Sequence, residues 1–232
     1  MSGTLITVAP TGAEGSKADA PGLPVTVPEL VSTAVACERA GAALIHLHLR
    51  DEAGAPTLAL PRLTEAVQAV AESTSLIVQL STGGSVRDSF EDRIRVLEAR
   101  PESCSLTMGT VNFGSDVFAN PWPFVVDLYQ ASKDLGVVPE FELFDLGHVA
   151  ALERLLREYG EPHGGKVHCD LVMGVPGGMP GTAATMVAAV QALPAAVTSW
   201  SATGIGRTTL PVALSALAMG GHLRVGMEDT LT

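Results

Sequence analysis

Short β-branched or apolar runs alternate with amphipathic stretches along almost the whole chain, and no other feature restricts the fold as strongly. The runs that read as strands are "TLITVAP" (4–10), "ALIHLHL" (43–49), "SLIVQLS" (75–81), "CSLTMG" (104–109), "VVPEFELF" (137–144), "VHCDLVMG" (167–174), "AVTSWSA" (196–202) and "GHLRVGM" (221–227). The stretches between them carry helix boundaries. Thr26 and Glu29, with Pro28, have capping-box spacing before "LVSTAVACERAG", and Pro61 opens "PRLTEAVQAVAES". Gly136, Gly160 and Gly220 stand where helices end in a left-handed residue. Strand then helix, repeated, makes parallel βαβ units. Eight strands separated by seven helices predict an α/β fold, a (β/α)8 barrel forming one domain over 1–232, rather than an open sheet. The eighth strand is followed almost at once by Thr232, so the last helix is expected to be absent from this chain. Either the natural chain continues, or a partner's element covers that flank.

Composition narrows the function classes. Hydrophobic residues make up 47% of the 232, enough for a well-buried core, yet no run is long and uninterrupted enough to span a bilayer. A net charge of −11 disfavours nucleic acid, whose phosphates need a basic face. The turn-like "APTGAEG" arrives too early for a signal peptide. The three cysteines, Cys37, Cys104 and Cys169, are widely spaced and read as reduced thiols of a cytoplasmic protein.

Barrel active sites lie at the C-terminal ends of the strands, so candidate residues can be read from those positions. The first strand leads to Glu14 in "PTGAEGSKAD"; the second closes on His46 and His48; the third runs into "STGG" with Ser81, Thr82 and Gly83. The fourth offers Ser105 and Thr107, the fifth Glu140 and Glu142, the sixth "MGVPGGMPG", the seventh "SATGIGR" and the eighth Arg224, Glu228 and Asp229. Side chains alternate along a strand, so His46 and His48 share a face. Two imidazoles so placed can hold one metal ion, or can be buried histidines satisfied by backbone carbonyls. A third ligand is expected from a carboxylate at another strand end. Glu228 is the best placed, because the eighth strand faces the second across the mouth; a salt bridge to an adjacent arginine is its alternative use. Two histidines, one glutamate and a water form a catalytic zinc pattern. Gly177 and Gly178 of "GVPGGMPG" can turn their amides into an anion nest, or can simply form a βα loop. Gly206 and Arg207 of "GIGR" lie where barrels often bind phosphate. His148, His163, His168 and His222 read as structural.

Taken together and in order, "IHLHLRD", "QLSTGG", "GTVNFG", "GVPGGM", "GIGR" and "GGHLRVGMEDT" resemble the β-keto acid cleavage enzymes, of the 3-keto-5-aminohexanoate type. The resemblance runs from "LITVAPTGAE" to the last residue. It implies a zinc-dependent (β/α)8 barrel that condenses a β-keto acid with acetyl-CoA and releases acetoacetate and a new acyl-CoA. It also implies a homo-oligomer, a tetramer in the first instance. His46, His48 and Glu228 match the family's zinc ligands, and Ser81, Arg224, Asp229 and Glu14 its substrate and catalytic residues. Ser105 replaces a threonine and keeps the hydroxyl, whereas Thr107 replaces an asparagine and loses an amide donor. The family's reaction begins with removal of a proton between two carbonyls. Arginine is a poor base, so Asp229 is expected to take the proton while Arg224 orients it and grips the substrate carboxylate. Glu14 is expected either to meet an ammonium group on the distal part of the substrate or to pair with Arg224 or Lys17. Two rivals remain: a metal-dependent hydrolase of the amidohydrolase type, which usually adds histidines on later strands, and a non-catalytic barrel that retains a metal.

Overall fold

A computed structural model describes residues 3–231. Eight parallel strands close into a barrel in sequence order: β1 (Ile6–Val8), β2 (Leu44–Leu47), β3 (Ile77–Leu80), β4 (Ser103–Thr107), β5 (Val138–Leu143), β6 (Val167–Met173), β7 (Val197–Gly204) and β8 (His222–Val225). Seven helices alternate with them: α1 (Val27–Arg39), α2 (Leu60–Ser73), α3 (Phe90–Arg95), α4 (Trp122–Leu135), α5 (Leu146–Tyr159), α6 (Ala183–Ala192) and α7 (Thr209–Ala218). The expected capping box forms: the Thr26 side chain accepts from the Glu29 amide, and the Glu29 carboxylate accepts from the Thr26 amide. Gly136 ends α4 at φ 72°, a left-handed turn that a side chain resists.

The strands turn apolar side chains outward beneath the helices. Cys104, Leu106, Phe141, Cys169, Leu171 and Ala202 pack there with helix residues such as Leu128, Leu152, Met186 and Val212. The barrel interior is polar instead. Thr7, His46, Gln79, Ser103, Ser105, Glu140, Glu142, Asp170, Ser201, Thr203 and Arg224 are all buried. Barrels of this type usually fill that space with Val, Ile and Leu. Here the buried acids need partners, and Asp170 accepts from Ser201 Oγ at 2.6 Å and Thr203 Oγ1 at 2.5 Å.

Two short antiparallel ribbons, absent from the sequence reading, decorate the C-terminal face: Leu49–Arg50 with Pro56–Thr57, and Val111–Phe113 with Asp116–Phe118. The first shortens the strand expected over 43–49. It stops at Leu47, because Leu49 and Arg50 pair instead with Thr57 and Pro56 across the turn that Asp51 braces. Among the described residues no helix follows β8. There the outward residues Ile6, Val8, Leu223 and Val225 are only half-buried, while their counterparts Ile45 and Val78 are enclosed.

Candidate active site

His46, His48 and Glu228 converge at the C-terminal mouth. Their ligand atoms all lie within 4.8 Å of one another, with Glu228 Oε1 3.8 Å from His46 Nε2 and 3.4 Å from His48 Nε2. Among the described residues this is the one group of three or more such side chains. The position of Glu228 depends on the barrel seam. Its amide donates to Ala9 O at 3.1 Å, and Gly12, at φ 66°, passes so close that a Cβ there would stand 2.8 Å from Glu228 Cγ. Arg50 holds the same loop by donating to Gly12 O and Gly15 O.

Its neighbours fix the tautomer of His46. His46 Nδ1 meets Gln79 Oε1 at 2.5 Å, and Gln79 Nε2 donates to Ser103 Oγ at 3.1 Å. An amide oxygen only accepts, so the proton of neutral His46 resides on Nδ1 and the Nε2 lone pair faces the cluster. Burial, reinforced by the charge on Arg224, lowers His46 to about 4 and keeps it neutral. Burial opposes ionisation of Glu228, yet Arg224 and the two imidazoles hold it well below the usual carboxylate range. Its Oε2 is enclosed without a hydrogen-bond partner.

Arg224 is the hub of the remaining polar groups. It donates to Asp229 Oδ1 at 3.0 Å and Oδ2 at 3.3 Å, to Glu142 Oε1 at 3.3 Å, and to Glu228. Thr107 donates to the other oxygen of Glu142 at 2.7 Å. Burial pushes both Asp229 and Glu142 up to about 7, against the lowering effect of Arg224. One guanidinium thus serves three carboxylates. That surplus of negative charge, the Nε2 lone pair of neutral His46 and an orphaned carboxylate oxygen fit a divalent cation, and nitrogen with oxygen ligands suits zinc.

The other expected residues divide. Ser81 and Gly83 line the same cavity, and Ser81 Oγ accepts the Gly83 amide, which leaves its hydroxyl proton free. Thr82 and Ser105 bond to each other behind the cavity wall. Glu14 lines the open side as an exposed carboxylate and forms neither expected pair. Lys17 is taken by Glu29, and Arg224 by its three acids; the Glu14 carboxylate instead favours the charge on Arg50. Gly177 lies against the second ribbon, where a Cβ would meet Asn112 O at 2.4 Å, and the Gly178 amide already donates to Val175 O. Gly206 donates to Asp229 O at 2.7 Å, and Arg207 beside it is exposed. His148 accepts the Phe144 amide, and His222 accepts that of Leu5. His168 lies low in the barrel between Ser199 and Glu140, away from the mouth.

Sequence reading passed over Gln79 and Arg93. Gln79 carried a signal, an amide inside the apolar run "LIVQL". Arg93 carried none, because its burial arises from tertiary packing. Its guanidinium donates to Thr82 O, Ala119 O and Asn120 Oδ1 and lies over the rings of Phe118 and Phe124.

A family model described as beta-keto acid cleavage enzyme matches residues 4–232. The 3-keto-5-aminohexanoate cleavage enzyme of Acetoanaerobium sticklandii is 36% identical over 235 residues, spanning 100% of this chain and 84% of that protein. The 3-oxoadipate:acetyl-CoA acetyltransferase of Cupriavidus necator is 34% identical over 231 residues, 98% of this chain and 80% of that protein. Among solved structures, apo ObcA superposes with a TM-score of 0.78 at 22% identity, over 91% of this chain and 56% of ObcA, a likeness of fold alone.

Proposed function

The chain belongs to the β-keto acid cleavage enzyme family, and from that premise we propose that it is a zinc-dependent acyltransferase joining a β-keto acid to acetyl-CoA. The products are acetoacetate and the acyl-CoA of the remaining fragment. The observation that carries this reading is the placing of His46, His48 and Glu228 beside the Arg224–Asp229 pair in one cavity. His46, His48 and Glu228 would hold the ion, which when bound supplies Lewis-acid stabilisation to oxyanionic substrate.

Asp229 takes the proton from the carbon between the two carbonyls. A carboxylate raised to about 7 is matched to that transfer near neutral pH. Arg224 cannot be the base, because its acids hold it protonated. It orients Asp229 through two N–H groups and presents charge to the substrate carboxylate. The Ser81 hydroxyl donates to a substrate oxygen. The deprotonated carbon attacks the thioester carbonyl of acetyl-CoA, and the thiolate moves within the adduct to the original keto carbon. The bond between that carbon and the attacking carbon then breaks, and Asp229 returns its proton to the departing acetoacetate. Exposed Arg207, with the loops bearing Gly177, Gly178 and Gly206, is assigned to the coenzyme A side, and Glu14 to the substrate side of the rim. A cytoplasmic setting and a homo-oligomer, taken as a tetramer, belong to the same reading. Free thiols support the first. Exposed Leu210, Leu214 and Leu217 along α7 support the second.

The test is a panel of β-keto acids with acetyl-CoA and zinc-loaded protein, read as acetoacetate and new thioester by mass spectrometry. His48→Ala is expected to lose stoichiometric zinc and turnover together. Stoichiometric zinc in a variant lacking both histidines overturns the ligand assignment. Product formation without acetyl-CoA places the chain with hydrolases, and zinc without any turnover makes it a binding barrel.

A further inference from the structure

The cavity has two unlike halves. It encloses about 310 Å³, at the small end for a ligand pocket. The half formed by β1, β2 and β8 carries the imidazoles, Arg224, Glu228 and Asp229, with Glu142 of β5 at its border. The opposite half is a continuous apolar wall of Val86, Phe113, Phe118, Phe144, Val172, Val175 and Ile205, contributed by the ends of β3 to β7. Phe113 anchors it, edge-on to both Phe118 and Phe144 with ring centroids 6.4 Å away in each case. The second ribbon carries this ring to the cavity lining.

Charge is absent from that wall. Among the described residues no lysine lines the cavity, and its one arginine, Arg224, is committed to three acids and to the first carboxylate of the substrate. Arg93 lies nearby but spends its donors on Thr82, Ala119 and Asn120. A second carboxylate on the substrate would therefore be desolvated against phenyl rings with no cation to meet it. A distal ammonium fares little better. The single acid bordering the wall, Glu142, is held by Arg224 and Thr107, and exposed Glu14 stands on the opposite loop within the field of Arg50.

We propose that this wall receives the distal end of the keto acid, and that the substrate is a β-keto acid with an uncharged alkyl substituent. The inference rests on the function proposed above and names its substrate class. Burial of each added methylene against such a wall strengthens binding about fourfold until the space is filled.

Two measurements separate this proposal from the function beneath it. Calorimetric titration of zinc-loaded protein without acetyl-CoA compares 3-oxopentanoate, 3-oxohexanoate, 3-oxo-5-methylhexanoate, 5-amino-3-oxohexanoate and 3-oxoadipate. Affinity is expected to climb along the alkyl series and to fall at least tenfold for the two charged acids. Val86→Lys, at the half-buried edge of the wall, is expected to raise 3-oxoadipate binding at the expense of the alkyl acids. Phe113→Ala, checked by circular dichroism, is expected to flatten the alkyl series. If it fails to fold, Ile205→Ser supplies the same comparison. Tighter binding of either charged acid than of 3-oxohexanoate overturns the substrate class. So does a flat alkyl series in which Phe113→Ala raises only the KM for acetyl-CoA, which assigns the wall to the thioester arm. Turnover is scored separately: a rising alkyl series without acetoacetate rejects the reaction and leaves the wall as a binding site for keto acids.

Discussion

Gln79→Leu isolates what the interior of the barrel does for the proposed metal ligands. The side chain is fully buried, and leucine nearly matches its volume, so little cavity is created. Two hydrogen bonds disappear, to His46 Nδ1 and to Ser103 Oγ. The Nδ1–H of His46 is left without an acceptor, which costs about 1–3 kcal/mol, and Ser103 recovers part of its own loss by rotating its hydroxyl. The protein is expected to be destabilised by about 2–4 kcal/mol. The proton of His46 is then no longer confined to Nδ1, so a fraction of molecules presents a protonated nitrogen to the ion. Loss of such an outer-shell partner weakens metal binding about 10- to 100-fold, equivalent to about 1.4–2.7 kcal/mol. Competition with a chromophoric chelator measures the affinity, and urea unfolding with and without zinc measures both terms. Gln79→Glu restores an acceptor opposite Nδ1, so its affinity is expected to return to or exceed the parent's. A leucine variant that melts cooperatively and binds zinc within twofold of the parent would show that Gln79 does not set the tautomer.

Arg93→Ala removes a buried guanidinium that ties the β3 loop to the second ribbon, so stability is expected to fall by about 3 kcal/mol. KM for the keto acid should rise more than kcat falls, and an unchanged KM counts against the clamp. The Glu140–His168 pair makes stability depend on pH. Burial opposes charge on His168, but the facing Glu140 carboxylate, 3.3 Å away, raises its pKa above the ordinary value. The folded state then holds a proton that the unfolded state releases. The stabilisation is full below about pH 6.5 and disappears as pH rises through the folded-state value. Urea midpoints from pH 6.5 to 9 should decline more steeply for the parent than for Glu140→Gln, and parallel curves would remove the pair from the account. Light scattering is expected to show an assembly that Leu210→Glu with Leu214→Glu dissociates, and a parent chain that runs as a stable monomer contradicts the proposed oligomer.

The barrel was legible because each strand pattern survives in the backbone: "VHCDLVM" places His168 and Asp170 inward and Cys169 and Leu171 outward as alternation requires. His46, His48 and Glu228 were legible for the same reason, since position at a strand end determines which residues can meet at the mouth. The ribbons escaped because "NFGSDVF" is too short to signal a strand, and its pairing is set by contact with the β6 loop, where Gly114 donates to Pro176 O. The pairs expected for Glu14, with Arg224 or Lys17, do not form because partner choice depends on distances between loops. Lys17 lies on the Glu29 side of its turn. The apolar wall was hidden in the same way: its phenylalanines come from two separate places in the chain, the second ribbon and the end of β5, and only closure of the barrel brings the two together.

That closure has a consequence for biosynthesis. β1 pairs with β8, Ile6 opposite Leu223, and the seam is so tight that a side chain on Gly226 would overlap Ala9 O. His46 emerges from the ribosome early and Glu228 late, and Glu228 is positioned only once its amide has found Ala9. Earlier βα units can pack while the chain is still growing, but the polar centre has no partial form. A nascent or prematurely terminated chain would carry the histidines without the carboxylate, and so would compete poorly for zinc. On the proposed zinc-dependent reading, metal is committed only to molecules in which β8 has closed on β1, and a captured ion then ties the first-made part of the barrel to the last.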